Sequence, residues 1–281
     1  MTIVGLGLMG GSLALALRGQ CREIIGAEAD PAARAFALQH GFVHRTTDFD
    51  SALAASDLLI LATPVRTILS QLAGISNLQP PTSNLQPPIS ILDLGSTKSQ
   101  IVAAMQKLPP NFDPIGGHPM CGKEVSGIEH ANADLYHGKT FILTPLERTS
   151  PNALALAREL VTTISSIPLV LDAETHDAFA AAISHLPYAV SIALMQTALA
   201  SGGEALWQMA ASGFRDATRL AASDLTMMTD ILLTNRVAVL DSLARFRSEL
   251  DSLAVAIESG DAAILRAALE SAQRQRSEMF K

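Results

Sequence analysis

Gly5-Leu6-Gly7-Leu8-Met9-Gly10 is a glycine-rich motif near the N-terminus, and the prediction of the fold rests on it. It follows a strand-like run, Thr2–Val4, and opens a helical pattern, Met9–Leu17. In such a strand–turn–helix unit the first glycine allows a tight turn, the second lets a pyrophosphate approach the backbone, and the third lets helix and strand pack closely. The free N–H groups of the helix N-terminus attract phosphate. The motif predicts a dinucleotide site formed by Gly5, Leu6, Gly7, Leu8, Met9 and Gly10.

Glu28 stands at the end of a second predicted strand, Glu23–Ala27, and lies 18 residues past Gly10. An acid at this place hydrogen-bonds the ribose hydroxyls of NAD. The next residue is Ala29, where an NADP enzyme would place an arginine for the extra phosphate. We therefore expect NAD as cofactor, with NADP possible. We also assign Thr63 and Pro64, which follow the next predicted strand, to the cofactor site.

The first half of the chain alternates apolar strand-like runs with helical patterns, which is typical of a parallel sheet covered by helices. The further predicted strands are Leu58–Ala62, Ile89–Leu94 and Thr140–Leu143. A helix is predicted at Pro31–His40, with Asp30 as its cap. From Asp172 onward strand-like runs vanish, and helices are predicted at Glu174–Ala200, Thr226–Ser259 and Asp261–Gln275, the last two separated by Gly260. We expect an α/β Rossmann-like dinucleotide-binding domain (residues 1–172) and an all-α domain (residues 173–281).

Composition excludes several classes of protein. The net charge is −7 without any run of Lys or Arg, so no partner among nucleic acids is expected. No 18 consecutive residues are all apolar, which argues against a membrane span. The two cysteines, Cys21 and Cys121, form no metal-binding pattern, so we expect free thiols and no metal. Met1 runs almost directly into the glycine motif, so we expect no signal peptide and a cytoplasmic location.

One segment is a direct repeat, because Ser76–Pro81 and Ser83–Pro88 both read SNLQPP. Two copies are too few for a solenoid, and paired prolines exclude a regular helix. We interpret the repeat as a surface loop without a role in the chemistry; its purpose is not evident from the sequence.

Four further segments stand out: Gly95-Ser96-Thr97-Lys98, Gly116-Gly117-His118-Pro119-Met120, Ser184-His185-Leu186-Pro187 and Ser212-Gly213-Phe214-Arg215-Asp216. With the glycine motif they occur in the order found in the prephenate and arogenate dehydrogenase family, which the chain resembles from Val4 to at least Arg236. The resemblance implies NAD(P)-dependent oxidative decarboxylation of prephenate to 4-hydroxyphenylpyruvate, or of arogenate to tyrosine. It also implies a homodimer built by the helical domain.

The resemblance assigns roles to particular residues. His118 is the base that takes the proton of the substrate hydroxyl. Ser96 hydrogen-bonds that hydroxyl or orients His118, and His185 helps to hold substrate or nicotinamide. Arg215 binds a substrate carboxylate through its planar guanidinium. Glu124, which we place in the substrate site, and Asp177 match acidic positions in some members and would orient a histidine or arginine.

The residues themselves leave other readings open. His118 follows a Gly-Gly turn and has an ordinary imidazole pKa near 6.5 in this interpretation, but it could also cap a backbone carbonyl. Ser96 or Thr97 could cap a helix that starts at Lys98. His185 could serve in helix packing, in a helix kinked by Pro187. Arg215 could pair with Asp216 or Glu204 on the surface.

Two other functions compete with this one. A hydroxy-acid dehydrogenase similar to 6-phosphogluconate dehydrogenase would share the glycine motif and the helical domain, but needs a lysine on its central helix. No lysine lies between Lys139 and Lys281, which counts against it. A non-catalytic dinucleotide sensor would have lost its polar site residues, whereas His118, His185 and Arg215 are all present.

Overall fold

The computed structural model describes residues 1–54, 56–77, 88–123 and 125–279. Glu124 and most of the SNLQPP repeat (residues 78–87) lie outside the described residues. The chain divides into two compact units, Met1–Arg236 and Val237–Lys281.

The first unit is built on a sheet whose eight described strands have the order β3-β2-β1-β4-β5-β6-β7-β8. All neighbours up to β6 are parallel; β7 runs antiparallel to β6, and β8 is parallel to β7. The strands are β1 (Thr2–Val4), β2 (Ile25–Ala27), β3 (Arg45–Thr47), β4 (Leu58–Leu61), β5 (Ile89–Asp93), β6 (Phe112–Pro119), β7 (Thr140–Pro145) and β8 (Ile167–Val170). The chain therefore reverses its direction of winding between β1 and β4, where such sheets bind ligands.

Six helices accompany this sheet: α1 (Leu8–Ala16), α2 (Pro31–Gln39), α3 (Phe49–Ala54), α4 (Val65–Ser76), α5 (Ser99–Met105) and α6 (Pro151–Thr163). They form two apolar cores. Ile3 belongs to the core that contains Leu13, whereas its neighbour Val4 belongs to the core that contains Ile68. Because successive strand residues point to opposite faces, helices cover both faces of the sheet. The predicted α/β fold class is confirmed.

The predicted strands are present within two residues of their expected bounds, and Asp30 caps α2 through a bond from the Ala32 N–H (2.9 Å). Three strands lacked a recognisable signal: β3 is short and polar, β8 is an exposed edge, and β6 contains two glycines and two prolines. The prediction of a Gly116-Gly117 turn was wrong, because both residues lie inside β6 and pair with β7.

Helices follow the sheet, as predicted. They are α7 (Ala173–Ala180), α8 (Leu186–Ser201), α9 (Glu204–Met209), α10 (Ser212–Thr218) and α11 (Leu225–Thr234). Between α7 and α8 the chain forms a π-helical turn, Ala181–His185, which ends two residues before Pro187. The proline lacks an N–H and crowds the preceding turn, so the helix widens rather than ends. The single helix predicted over Thr226–Ser259 was wrong, because it is interrupted at Asn235.

These helices are hydrogen-bonded to the sheet layer within Met1–Arg236. The Arg66 N–H donates to Asp230 (3.0 Å), and the hydroxyls of Thr97 and Thr234 are 2.9 Å apart. A domain boundary near Asp172 stays a prediction.

One described helical run, Ala173–Ser201, is long and apolar enough to cross a membrane by length and composition, with a mean hydropathy of 1.6. Only 28% of the 18-residue segment that meets this criterion is buried. Length and composition are weak grounds, since core helices of other proteins pass the same test, and this run carries the buried polar side chains of His176, Asp177 and His185.

The second unit contains most of α12 (Arg236–Glu258) and all of α13 (Ala262–Met279). Gly260 separates the two helices with a φ of +64°, a conformation that glycine adopts without strain. Its predicted role as a helix stop is confirmed.

Candidate active site

The glycine loop follows β1 and lies beside the end of the neighbouring parallel strand, β4. Gly5 has a φ of +90°, and a Cβ there would lie 2.8 Å from Thr63 Cγ2. A Cβ on Gly10 would lie 1.9 Å from the Gly5 carbonyl oxygen, whereas one on Gly7 would meet nothing within 4 Å. Thus Gly5 makes the turn, Gly10 permits close packing, and Gly7 leaves open space. Among the described residues, no side chain caps the N-terminus of α1, so its N–H groups can receive a phosphate.

Glu28 lines a cleft of about 430 Å³ beside this loop. Its carboxylate accepts from the N–H groups of Leu6 (2.7 Å) and Asp30 (3.0 Å), so it is tied to the glycine loop itself. The other residues lining this cleft are Leu6, Gly7, Asp30, Ala32, Ala33, Phe36, Gly127, Ile128 and Glu129. The lining carries three carboxylates and no basic side chain.

His118 lies near the carboxyl end of β6, the same sheet edge at which the glycine loop, Glu28 and Thr63 follow their strands. Its Nδ1 atom lies 2.8 Å from Nε2 of His176, and His176 Nδ1 lies 2.8 Å from Asp177 Oδ1. Residues of α7 thus extend the side chain of His118 into a chain of three groups. We refer to His118, His176 and Asp177 as the histidine relay.

The relay fixes the position of the protons. A carboxylate only accepts hydrogen bonds, so His176 donates its Nδ1–H to Asp177. Its Nε2 atom is then an acceptor in the neutral ring, and His118 donates Nδ1–H to it. Neutral His118 therefore carries its lone pair on Nε2, the tautomer that a proton acceptor needs.

Asp177 has a second partner, the N-terminus of α5. Its two carboxylate oxygens accept from the N–H groups of Lys98 (2.7 Å) and Ser99 (2.8 Å). The prediction that Ser96 or Thr97 caps this helix was wrong, because the cap comes from α7. Ser96 is half-buried, and its hydroxyl has no hydrogen-bond partner in the described part of the chain.

His185 lies at the end of the π-helical turn and is 1% exposed. Asn235, at the break between α11 and α12, donates its amide N–H to the carbonyl of Asp177 (2.7 Å) and lies 3.2 Å from His185 Nδ1. Since that amide nitrogen is a donor, His185 Nδ1 accepts and its proton resides on Nε2. Asn235 therefore sets the tautomer of the second histidine.

Burial governs the charge of both histidines. Burial lowers the pKa of His118 well below its ordinary value, and His176, Lys98 and His185 lower it further. Burial also lowers the pKa of His185 to about 4, although Asp177 opposes the shift. The prediction of an ordinary pKa for His118 was therefore wrong. A neutral imidazole dominates at neutral pH, which keeps the proton-accepting form populated.

Sequence reasoning missed four residues here: His176, Asn235, Lys98 and Asp93. His176 could have been noticed beside Asp177, because an adjacent acid is a common partner of histidine. Lys98 stood inside a recognised motif. Its side chain is fully buried and forms an ion pair with Asp93, which no spacing rule predicts.

Arg215 lies in α10, and its side chain is exposed. It makes no ion pair with Asp216 or Glu204, so this alternative is not observed. The structure joins His118, His176, Asp177, His185 and Asn235 by hydrogen bonds and leaves Arg215 outside this network. Glu124 lies outside the described residues.

Comparisons with known proteins agree with this architecture. The family model described as prephenate dehydrogenase, nucleotide-binding domain, matches residues 13–167, and that of the prephenate dehydrogenase dimerization domain matches residues 172–271. Prephenate dehydrogenase of Bacillus subtilis (strain 168) is 34% identical over 268 residues, which cover 92% of this chain and 70% of the relative.

Solved structures give the same result. Prephenate dehydrogenase from A. aeolicus, in complex with hydroxyphenyl propionate and NAD+, has a TM-score of 0.89 and 31% identity, covering 99% of this chain and 97% of that one. Synechocystis arogenate dehydrogenase has a TM-score of 0.82 and 29% identity, covering 99% of each chain. The chain therefore belongs to the prephenate dehydrogenase family of nicotinamide-dependent oxidoreductases in tyrosine biosynthesis.

Proposed function

We propose that the chain catalyses oxidative decarboxylation of prephenate or arogenate, with NAD as cofactor and His118 as general base. The observation that carries this proposal is the histidine relay, which stands at the same sheet edge as the glycine loop and presents a lone pair on His118 Nε2. The family's substrates bear a ring hydroxyl whose proton must leave, and a neutral imidazole is suited to take it.

Each step of the reaction has a defined fate for protons and electrons. His118 Nε2 accepts the hydroxyl proton while a hydride departs from the carbon that bears the hydroxyl, and a ring ketone forms. Bound NAD would supply the hydride acceptor. The bond to the ring carboxylate then breaks, CO2 leaves, and its electron pair makes the ring aromatic. The former ketone oxygen becomes a phenolate, which takes the proton back from His118.

The relay stabilises His118 while it holds that proton. His176 accepts from Nδ1 of the imidazolium, and the carboxylate of Asp177 compensates the positive charge through His176. Burial alone would raise the pKa of this carboxylate, but the hydrogen bonds that it accepts from His176, Lys98 and Ser99 together outweigh that effect and lower the pKa, so it stays ionised at neutral pH. The charge that develops during the reaction therefore has a fixed partner.

NAD rather than NADP fits the cleft beside the glycine loop. Glu28 and the neighbouring acids Asp30 and Glu129 would meet the extra phosphate of NADP, and the lining offers no cation to pair with it. Residues Gly5 to Gly10 would hold the pyrophosphate, with Thr63 and Pro64 at the adjacent strand end.

Three other predicted residues complete the proposed substrate site. Ser96 has an available hydroxyl at the end of β5, and neutral His185 offers an Nε2–H donor. Arg215 is exposed, unlike the histidines, and it would bind a carboxylate of the substrate. We keep Glu124 in the substrate site as a proposal from the resemblance.

We propose a homodimer formed through the helical part, with domains at residues 1–172 and 173–281. The match of residues 172–271 to a dimerization domain supports it. The apolar run Ala173–Ser201 is mostly uncovered, and its large side chains Phe179 and Ile183 are 55% and 68% exposed. A second copy of the chain would cover such a surface. A cytoplasmic location is part of the proposal.

A turnover assay with prephenate and with arogenate, each with NAD and with NADP, tests the function. We expect reduced cofactor and an aromatic product with at least one acid and NAD. A chain that binds NAD but turns over neither acid would instead be a dinucleotide sensor.

A further inference from the structure

Lys98 and Asp93 form a buried ion pair that contacts Gly117, the residue before His118. Both side chains are fully buried, and the ammonium of Lys98 contacts the carboxylate of Asp93. Burying two charges costs solvation free energy, and apolar pairs of similar volume often replace such a pair without loss of stability. Stability alone therefore does not explain the pair, and its contacts indicate what else it does.

The two side chains hydrogen-bond both backbone polar groups of one residue, Gly117. The Gly117 N–H donates to Asp93 Oδ1 (3.0 Å), and its carbonyl accepts from Lys98 Nζ (2.6 Å). Gly117 immediately precedes His118 in β6. The ion pair therefore holds the backbone that carries the proposed base.

These two hydrogen bonds take the place of strand pairing that is missing at Gly117. Regular pairing of β5 with β6 ends at Leu92 and Ile115, so the edge of Gly117 that faces β5 has no strand partner. Without the ion pair its N–H and C=O would be buried and unsatisfied. Glycine is required here, because a Cβ would lie 2.5 Å from the Asp93 carbonyl oxygen.

Lys98 also reaches His118 by a second route. Its own backbone N–H donates to Asp177, the last member of the histidine relay (2.7 Å). The residue thus contacts the strand that carries His118 and the carboxylate that orients His118 through His176. In addition, the positive charge of Lys98 lowers the pKa of His118.

We propose that Lys98 and Asp93 are positioning residues, which hold the Gly117 peptide and so set the position of His118. The proposal rests on His118 being the base. Misplacement of a catalytic group by about 1 Å costs roughly 100-fold in rate, so even a small shift of β6 would be measurable.

The test uses the full-length protein and four variants: Lys98→Met, the double variant Lys98→Met with Asp93→Leu, Lys98→Arg, and Arg148→Met as matched control. Arg148 also holds backbone carbonyls, but at the other end of β6: it donates to Phe112 (2.9 Å), the first residue of the strand, and to Pro109 (3.1 Å), three residues before it. It therefore reports what the loss of a purely structural clamp does.

We expect the double variant to fold and bind NAD within about twofold of the wild type but to lose about 10- to 100-fold in kcat. In Lys98→Met the ring of His118, followed by ¹⁵N NMR, should titrate at higher pH, because a positive charge is gone. Arg148→Met should lose stability but keep kcat and the titration of His118. Equal losses of kcat in Arg148→Met and the double variant would overturn the proposal.

Two further outcomes are decisive. If the variants that carry Lys98→Met do not fold, Lys98→Arg decides. A guanidinium is bulkier than an ammonium and the site is fully buried, so Lys98→Arg should displace the Gly117 peptide and lower kcat; full kcat in this folded variant would refute positioning. If the wild type turns over neither prephenate nor arogenate, the proposed function fails. The NMR titration of His118 still tests whether Lys98 and Asp93 determine the surroundings of its ring. An unchanged titration in folded Lys98→Met would overturn the proposal.

Discussion

Nδ1 of His118 and Nε2 of His176 lie 2.8 Å apart, and His176 in turn contacts Asp177. The contact joins a strand residue to a helix residue 58 positions later. It leaves Nε2 of His118 as the proton acceptor.

The first prediction concerns the base and its partner. His118→Ala should lower kcat by about 10²- to 10⁴-fold, the usual contribution of one general base, without changing NAD affinity. His176→Ala should lower kcat less, because His118 remains but its tautomer is no longer fixed. Steady-state kinetics and NAD titration check both, and a fully active His118→Ala enzyme would remove His118 from the mechanism.

The pH profile belongs to the same prediction. The lowered pKa of His118 means that its neutral form persists below pH 6.5, so kcat/KM should rise with pH along a limb displaced to more acidic values. A limb centred at or above about 6.5 would show that the free enzyme does not bury this imidazole as described.

The second prediction concerns stability in acid. His185 has a pKa of about 4 in the folded chain and about 6.5 when unfolded, so the unfolded chain binds more protons between these values. The free energy of unfolding should therefore fall as pH drops from 6.5 towards 4, by on the order of 3 kcal/mol from this residue.

Urea unfolding at several pH values checks this, with His185→Gln as the comparison. Glutamine keeps a donor but cannot ionise, so its free energy of unfolding should depend less on pH over the same range. Equal slopes for both proteins would contradict the assignment.

The third prediction concerns the cofactor. Glu28→Ser with Ala29→Arg should move the ratio of kcat/KM toward NADP, since the change removes a repulsion and adds a cation. The repulsion between Glu28 and the phosphate is worth about 2–3 kcal/mol after screening, which corresponds to roughly 30- to 140-fold. Equal kcat/KM for NAD and NADP in the wild type would mean that Glu28 does not read the ribose. Because Glu28 also receives the N–H of Leu6, the double variant should bind NAD more weakly.

The fourth prediction concerns Arg215. Arg215→Ala should raise KM for the acid substrate far more than the dissociation constant of NAD, at a cost of roughly 2–5 kcal/mol if the substrate carboxylate is left buried and unpaired. Arg215→Lys should recover only part, because an ammonium lacks the fork geometry. An unchanged KM would assign Arg215 a role outside the substrate site.

The glycine loop, the place of Glu28 and the alternation of strands and helices could be predicted from the sequence alone, because they depend on local signals. These signals are a turn that needs glycine, an acid at the end of a strand, and apolar runs with the period of a strand or a helix. The sequence also identified His118 and His185 through their motifs. Their partners come from the tertiary structure. His176 reaches His118 across 58 residues because α7 lies against the sheet. Asn235 contacts Asp177 and His185 from 58 and 50 residues away, and Asp93 contacts Gly117 because β5 and β6 are neighbours in the sheet. The protonation states of His118 and His185 follow from burial. No local pattern encodes burial, because the pKa of an imidazole depends on the water that the whole fold removes and on the charges that it supplies.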